Sequence, residues 1–92
     1  MIEKTFKITP KLGLHARPAS LFVQTSARFK SEIHVAKDQN GEEVVVNGKS
    51  VMGLMMLAAA HGEEVTVKAD GPDAEKAIEA FDDLFQRKFD ED

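Results

Sequence analysis

A histidine and an arginine two residues apart are the side chains in this sequence best placed to do chemistry. His15 and Arg17 lie in residues 12–19 (LGLHARPA), where a strand-like segment ends and a helical pattern begins at a proline. The N–H groups of a first helical turn have no intrahelical acceptors, and the helix dipole favours negative charge there. An imidazole at this junction could hold a phosphoryl group, and the guanidinium could bond its oxygens.

The chemistry predicted for His15 is phosphoryl transfer. An unperturbed histidine titrates near pH ~6.5, so a neutral, nucleophilic ring nitrogen is available at cytosolic pH. Protonation of the ring then helps the phosphoryl group leave. The alternative is a surface histidine that caps the helix, and the short His-x-Arg-Pro pattern does not by itself separate the two.

Ser50 is a second candidate, because it directly precedes an apolar stretch at residues 51–60. A serine there is a routine helix N-cap, with a contribution of typically ~1 kcal/mol. Phosphorylation would instead place a charge of about −2 beside Met52. Residues 48–50 (GKS) also resemble the end of a nucleotide-binding P-loop, but Glu43 stands where that motif needs a glycine, so we exclude it.

The apolar periodicity predicts seven elements in the order β-α-β-β-α-β-α. Each strand is apolar on one face only, and each helix carries an apolar stripe. These patterns predict an α+β fold, an open-faced sandwich in which three helices cover one face of a four-stranded antiparallel sheet, as a single domain over residues 1–92. The predicted strands are residues 2–8, 31–37, 43–46 and 64–69, and the predicted helices begin near residues 16, 51 and 73.

Several boundaries follow from local signals. Asn40-Gly41 predicts a hairpin. His61 and Gly62 predict the end of the second helix, with His61 complementing its C-terminal dipole. Residues 89–92 (FDED) predict a frayed acidic tail.

Composition excludes several functional classes. The chain has no cysteine, which excludes disulfides and thiolate metal sites, and its three histidines share no ligand spacing, so we expect neither a metal nor a cofactor. The net charge of −4 argues against non-specific nucleic-acid binding. No apolar run approaches the roughly 20 residues of a membrane span, and no signal-peptide region is present, so we expect a cytoplasmic protein without membrane insertion.

Two motifs carry a family resemblance. Residues 13–19 (GLHARPA) resemble the active-site signature of HPr, the phosphocarrier family of the phosphoenolpyruvate-dependent phosphotransferase system. Residues 49–53 (KSVMG) resemble its second signature, around a regulatory serine. Length and element order agree as well, so the resemblance covers essentially the whole chain and implies a carrier rather than an enzyme with its own turnover.

The resemblance implies specific roles. His15 would receive a phosphoryl group on Nδ1 from enzyme I and pass it to IIA domains of sugar permeases, with Arg17 holding the phosphate. Ser50 would be phosphorylated by the HPr kinase/phosphorylase. It also implies an apolar partner surface around His15 that contains Leu21, Met52 and Met55. We expect Ser20 and Gln24 on the same surface, and we expect the protein to be a monomer.

Three alternatives remain open from the sequence. Residues 11–13 and 89–92 are similar to NPr, the nitrogen-related branch of the family, which would change the partners. A regulatory interaction module acting chiefly through Ser50 would not need transfer from His15. A small hydrolase using His15 as base lacks a visible nucleophile.

Overall fold

The computed structural model describes residues 1–90. Four strands and three helices alternate as β1 (Ile2–Lys7), α1 (Ala16–Ser26), β2 (Glu32–Gln39), β3 (Glu42–Asn47), α2 (Val51–Leu57), β4 (Glu64–Asp70) and α3 (Ala74–Gln86). A short 3-10 helix, Lys88–Asp90, follows α3. The predicted element order is confirmed.

The strands form one antiparallel sheet in the order β1-β4-β2-β3. Val67 of β4 lies opposite Val35 of β2, which lies opposite Val46 of β3. The predicted hairpin joins β2 to β3 through Asn40 and Gly41, whose φ angles of 56° and 84° are those of a type I′ turn. Side-chain alternation therefore puts one apolar row of each strand on the same face.

The helices cover that face and leave the other open. Phe6 of β1 stacks on Phe85 of α3, and Phe22 of α1 stacks on Phe81, each with 4.4 Å between ring centroids. The other face carries polar cross-strand pairs such as Thr5 with Thr66. The predicted α+β open-faced sandwich is confirmed.

The predicted end of the second helix is wrong. The helix ends at Leu57, because Ala58 adopts a left-handed conformation (φ 54°, ψ 38°) as its C-cap. Its carbonyl is bound by the side chain of Lys37, a contact between distant parts of the chain that the local apolar pattern cannot reveal. His61 therefore lies beyond the helix and does not complement its terminus.

The predicted frayed tail is wrong at Phe89, which is fully buried and packs edge-to-face on Phe85 at 4.8 Å. The burial of this ring holds the chain in a left-handed turn after α3, with φ near 55° at Lys88, Phe89 and Asp90. Asp90 also forms an ion pair with Arg87. The last two residues of the predicted tail, 91 and 92, lie outside the described residues.

Asp73 holds the start of α3 to the segment before β2. Its carboxylate accepts hydrogen bonds from the N–H of Lys30 (2.9 Å) and from the N–H and hydroxyl of Ser31 (2.9 and 2.6 Å). The Ser31 hydroxyl, followed by the Lys30 N–H, lowers the pKa of Asp73 from 3.8 to about 2. The charged carboxylate is thus the form that the fold stabilises.

Replacing this carboxylate is expected to change stability in a pH-dependent way. Since the folded-state pKa lies below the unfolded one, the stabilisation is fully present above about pH 4 and is lost as the pH falls towards about 2. We expect Asp73→Asn to lower the free energy of unfolding at pH 7 and to differ progressively less from the wild type below pH 4. Urea unfolding across this range measures the difference, and Asp38→Asn, on the exposed hairpin, is the control.

Candidate functional site

His15 is the N-cap residue of α1. Its backbone is extended (φ −83°, ψ −171°), and its carbonyl accepts the first helical hydrogen bond, from Ala19 N–H at 3.0 Å. The side chain makes no capping hydrogen bond, and the residue is half-buried. The sequence left open that the His15 side chain caps the helix, and the structure does not show such a cap.

The residues before His15 are anchored to the segment that follows α2. Gly13 has a φ of 73°, and a Cβ there would lie 2.4 Å from the carbonyl oxygen of Ala59. The N–H of Leu14 donates to the same oxygen at 2.9 Å, and the Leu14 side chain is buried. A close backbone approach that only glycine permits thus fixes the chain one residue before the candidate histidine.

Arg17 is the second residue of α1 and is exposed. Pro18 and Ala19 beside it are buried, which fixes the first turn against the body of the protein. The helix therefore holds His15 and Arg17 at the same end, where first-turn N–H groups lie. Farther along α1, Ser20 and Leu21 are half-buried and Gln24 is exposed.

α2 packs against α1 and presents an apolar surface to solvent. Leu54 and Leu57 are buried, whereas Met52 is 74% exposed and Met55 is 45% exposed, and the partner surface stays a prediction. Leu12 at 80% and Met56 at 77% are also exposed apolar side chains, and the prediction did not include them. Leu12 could have been recognised from its place in a turn between Pro10 and Gly13, where a leucine has no core to enter.

Charge is segregated along the chain. Residues 4–31 and 44–62, which supply α1, α2 and the loop before His15, contain seven lysines and arginines and no aspartate or glutamate. All 16 acidic residues lie elsewhere. The segments around the candidate site are therefore basic, although the net charge of the chain is −4.

Among residues 1–90, no cluster of three potential metal ligands is found. Within the same part of the chain, no helix is long and apolar enough to cross a membrane.

Ser50 is the N-cap of α2. Its Oγ accepts a hydrogen bond from the N–H of Gly53 at 3.0 Å, with its own backbone extended (φ −120°, ψ 117°). A Cβ on Gly53 would meet this hydroxyl at 3.3 Å, so the cap is closely packed. The capping role predicted for Ser50 is confirmed.

Loss of this cap gives a measurable prediction. We expect Ser50→Ala to lower the free energy of unfolding by about 1 kcal/mol, because the N–H of Gly53 loses its acceptor, while Ser50→Asp retains a capping oxygen and most of the stability. Chemical denaturation measures both. Equal stability of Ser50→Ala and wild type would contradict this assignment.

Comparison with known proteins places this geometry in a family. The family model described as "PTS HPr component phosphorylation site" matches residues 2–87. The phosphocarrier protein HPr of Neisseria meningitidis is 46% identical over 91 residues, covering 99% of this chain and 98% of the relative. The crystal structure of HPr-C-His from Thermoanaerobacter tengcongensis, 47% identical, superimposes with a TM-score of 0.86 and covers 100% of this chain and 99% of that one.

The HPr-like protein Crh of Bacillus subtilis is also similar, at 47% identity over 79 residues, with 86% of this chain and 88% of the relative covered. The two HPr matches described above extend over more of both chains than this match does. Together with a histidine and an arginine at the N-terminal end of α1, these similarities show that the chain belongs to the HPr family of phosphocarrier proteins of the phosphotransferase system.

Proposed function

We propose that His15 is the residue that carries the phosphoryl group. The observation that supports this most is the position of this half-buried residue at the N-cap of α1, where its side chain makes no capping hydrogen bond. Anchoring through Leu14 on one side and the buried first turn on the other holds the backbone of His15 in place. A fixed, accessible imidazole beside helical N–H groups is what reversible phosphorylation requires.

The proposed function moves one phosphoryl group in two displacements. The neutral ring nitrogen Nδ1 of His15 attacks the phosphorus of phospho-enzyme I; a nitrogen–phosphorus bond forms, and the bond to the donor atom of enzyme I breaks, with its electron pair left on that atom. In the second step a nucleophilic atom of a IIA protein attacks the same phosphorus, and the ring of His15 leaves as neutral imidazole. Arg17 and the first-turn N–H groups bond the phosphoryl oxygens during both transfer steps.

Partner docking in this proposal uses the apolar surface of α1 and α2. Ser20, Leu21, Gln24, Met52 and Met55 line it, and we extend it to Leu12 and Met56 because of their exposure. Enzyme I, IIA proteins and, where present, the HPr kinase/phosphorylase would use this one surface in turn, each with a monomer of the carrier. The proposal places the carrier in the cytoplasm, which agrees with its lack of cysteine.

The basic segments around His15 predict that docking depends on salt. We expect the rate of phosphoryl transfer from enzyme I to fall several-fold between about 0.05 and about 0.5 M salt, because screening weakens attraction to an acidic partner surface. Lys11→Gln, in the loop before His15, should lower the low-salt rate more than Lys76→Gln on α3. A rate that is independent of salt would contradict the electrostatic part of the proposal.

We propose a regulatory role for Ser50 in addition to its capping role. Phosphorylation would add about −1.5 to −2 charge beside Met52, inside the basic and apolar partner surface, and should weaken docking of an acidic partner. Ser50→Asp is expected to slow transfer from enzyme I, whereas Ser50→Ala should leave it near the wild-type rate. The reverse result would argue against this regulation.

The central experiment is phosphorylation of the purified full chain by phosphoenolpyruvate and enzyme I. The expected product is a singly phosphorylated protein whose adduct is acid-labile and base-stable, as a nitrogen–phosphorus bond is, and which transfers to a IIA protein. Mass spectrometry under alkaline conditions should place the group within residues 13–19. No adduct, or an acid-stable adduct at a hydroxyl, would refute the assignment, and a choice of sugar or nitrogen IIA proteins as acceptors would separate the two branches.

A further inference from the structure

Lys37 is a lysine on the core face of the sheet. It continues the inward row of Ile33 and Val35 on β2, and its side chain is only 9% exposed. A buried ammonium needs polar partners to offset lost hydration. Its Nζ donates to the carbonyl of Ala58 at 3.1 Å and to Oε1 of Glu63 at 3.1 Å.

The ion pair closes the loop that follows α2, residues 58–63, which we call the platform loop. Oε1 of Glu63 accepts the N–H of Ala60 at 2.6 Å, and the N–H of Glu63 donates to the carbonyl of Ala60 at 3.0 Å. The Ala60 N–H first, and the Lys37 ammonium second, lower the pKa of Glu63. Lys37 binds the first residue of the platform loop through a carbonyl and the last through a carboxylate, so it fixes both ends.

The platform loop in turn receives the chain that leads to His15. Hydrogen bonds join the two segments at several points. The backbone bonds are Ile8 N–H to Glu63 carbonyl (2.8 Å), Gly62 N–H to Ile8 carbonyl (2.9 Å) and Leu14 N–H to Ala59 carbonyl (2.9 Å), and Nδ1 of His61 bonds the carbonyls of Thr9 (3.0 Å) and Pro10 (3.3 Å). Because a carbonyl only accepts, Nδ1 of His61 carries the proton in this contact. The Ala59 carbonyl is also the atom against which Gly13 packs.

We propose that Lys37 is a positioning residue for phosphoryl transfer, acting through the platform loop to fix the backbone one residue before His15. This inference rests on the proposed function of His15. The Lys37 ammonium binds the Ala58 carbonyl and the Glu63 carboxylate, and that carboxylate accepts the Ala60 N–H. The Ala60 N–H belongs to the same peptide unit as the Ala59 carbonyl, which accepts the Leu14 N–H. Transfer is sensitive to such placement, because a shift of the reacting group by about 1 Å can slow a reaction roughly 100-fold.

The chain offers a matched control for this pair. Lys68 of β4 forms an ion pair with Glu43 of β3 at 3.2 Å, nearly the same length as the Lys37–Glu63 pair. That pair joins strands on the open face and touches neither the platform loop nor residues 8–15 in its hydrogen bonds. A lysine-to-methionine change there removes an ion pair from the same sheet without affecting the support of His15.

The experiment compares Lys37→Met and Lys68→Met in the full chain, at a temperature where circular dichroism shows both folded. We expect Lys37→Met to reduce kcat/KM for phosphorylation by enzyme I at least about tenfold, and Lys68→Met to stay within about twofold of wild type. Lys37→Arg, which keeps the charge and donors, should recover part of the loss. Hydrogen exchange of the Leu14 amide should speed up in Lys37→Met and remain unchanged in Lys68→Met.

Two results would overturn the proposal: wild-type transfer in folded Lys37→Met, or unchanged exchange of its Leu14 amide. If Lys37→Met does not fold, Glu63→Gln replaces it, since Glu63 is partly exposed, and wild-type transfer together with unchanged Leu14 exchange in that variant would also overturn it. The exchange measurement does not depend on phosphorylation. A wild-type protein that acquired no phosphohistidine would therefore refute the proposed function, while the exchange would still show whether Lys37 fixes the backbone before His15.

Discussion

His15→Ala is expected to abolish phosphorylation by phosphoenolpyruvate and enzyme I, with the signal falling to the level of a reaction without carrier. No other group can replace the lost nitrogen at the N-cap of α1, since Arg17 is a permanently charged guanidinium and not a nucleophile. Because His15 is only half-buried and its side chain makes no capping hydrogen bond, we expect the variant to remain folded. Phosphate incorporation at alkaline pH measures the effect.

His34→Ala is the matched control for this experiment. His34 lies on β2, on the open face of the sheet away from the helices, and is also half-buried. We expect this variant to be phosphorylated at the wild-type level. Continued labelling of His15→Ala, or loss of labelling in His34→Ala, would show that the phosphoryl group is carried elsewhere.

Gly13→Ala is expected to lower both stability and transfer. A methyl group at φ 73° is strained, and here it would also lie 2.4 Å from the backbone oxygen of Ala59, which cannot move without breaking the bond to Leu14. Overpacking of this kind costs about 1–3 kcal/mol beyond the strain. Since the displaced segment leads directly to His15, we also expect slower phosphorylation by enzyme I.

Gly41→Ala is the control that distinguishes backbone strain from the steric clash with Ala59. Gly41 has a similar φ of 84°, but a Cβ there would meet nothing within 4 Å. Both variants carry the left-handed strain, so their difference reports the contact with Ala59. We expect the Tm of Gly13→Ala to lie at least about 4 °C below that of Gly41→Ala, and only Gly13→Ala to slow transfer. Equal Tm values would contradict the close approach seen in the structure.

The order of elements and the fold class could be predicted from the sequence, because both follow from local periodicity. Apolar residues alternate along strands and recur every three or four residues along helices, and Asn40-Gly41 adopts the backbone that a two-residue hairpin needs. The candidate site was also predictable in part, since His15 and Arg17 are close in sequence. Their common position at the N-terminal end of α1 follows from that spacing.

The surroundings of these residues depend on contacts between distant segments. The apolar stretch after Ser50 predicts a longer helix, yet the helix ends at Leu57, where Lys37 from a distant strand binds the Ala58 carbonyl. Phe89 belongs to an acidic tail in sequence but is buried against Phe85 in the fold. Contacts between segments far apart in the chain determine both the end of α2 and the burial of Phe89. No local sequence pattern reveals such contacts.

The support of His15 depends on such contacts as well. The close approach of Gly13 to Ala59 joins residues 46 positions apart, and the Lys37–Glu63 pair joins residues 26 apart. The Lys37–Glu63 pair has one local indication in the sequence, which is that Lys37 occupies an inward strand position. Inward positions are normally apolar. The candidates for the chemistry therefore follow from residue types and spacing. Their positions follow from the packing of distant segments, because local propensity carries no information about long-range neighbours.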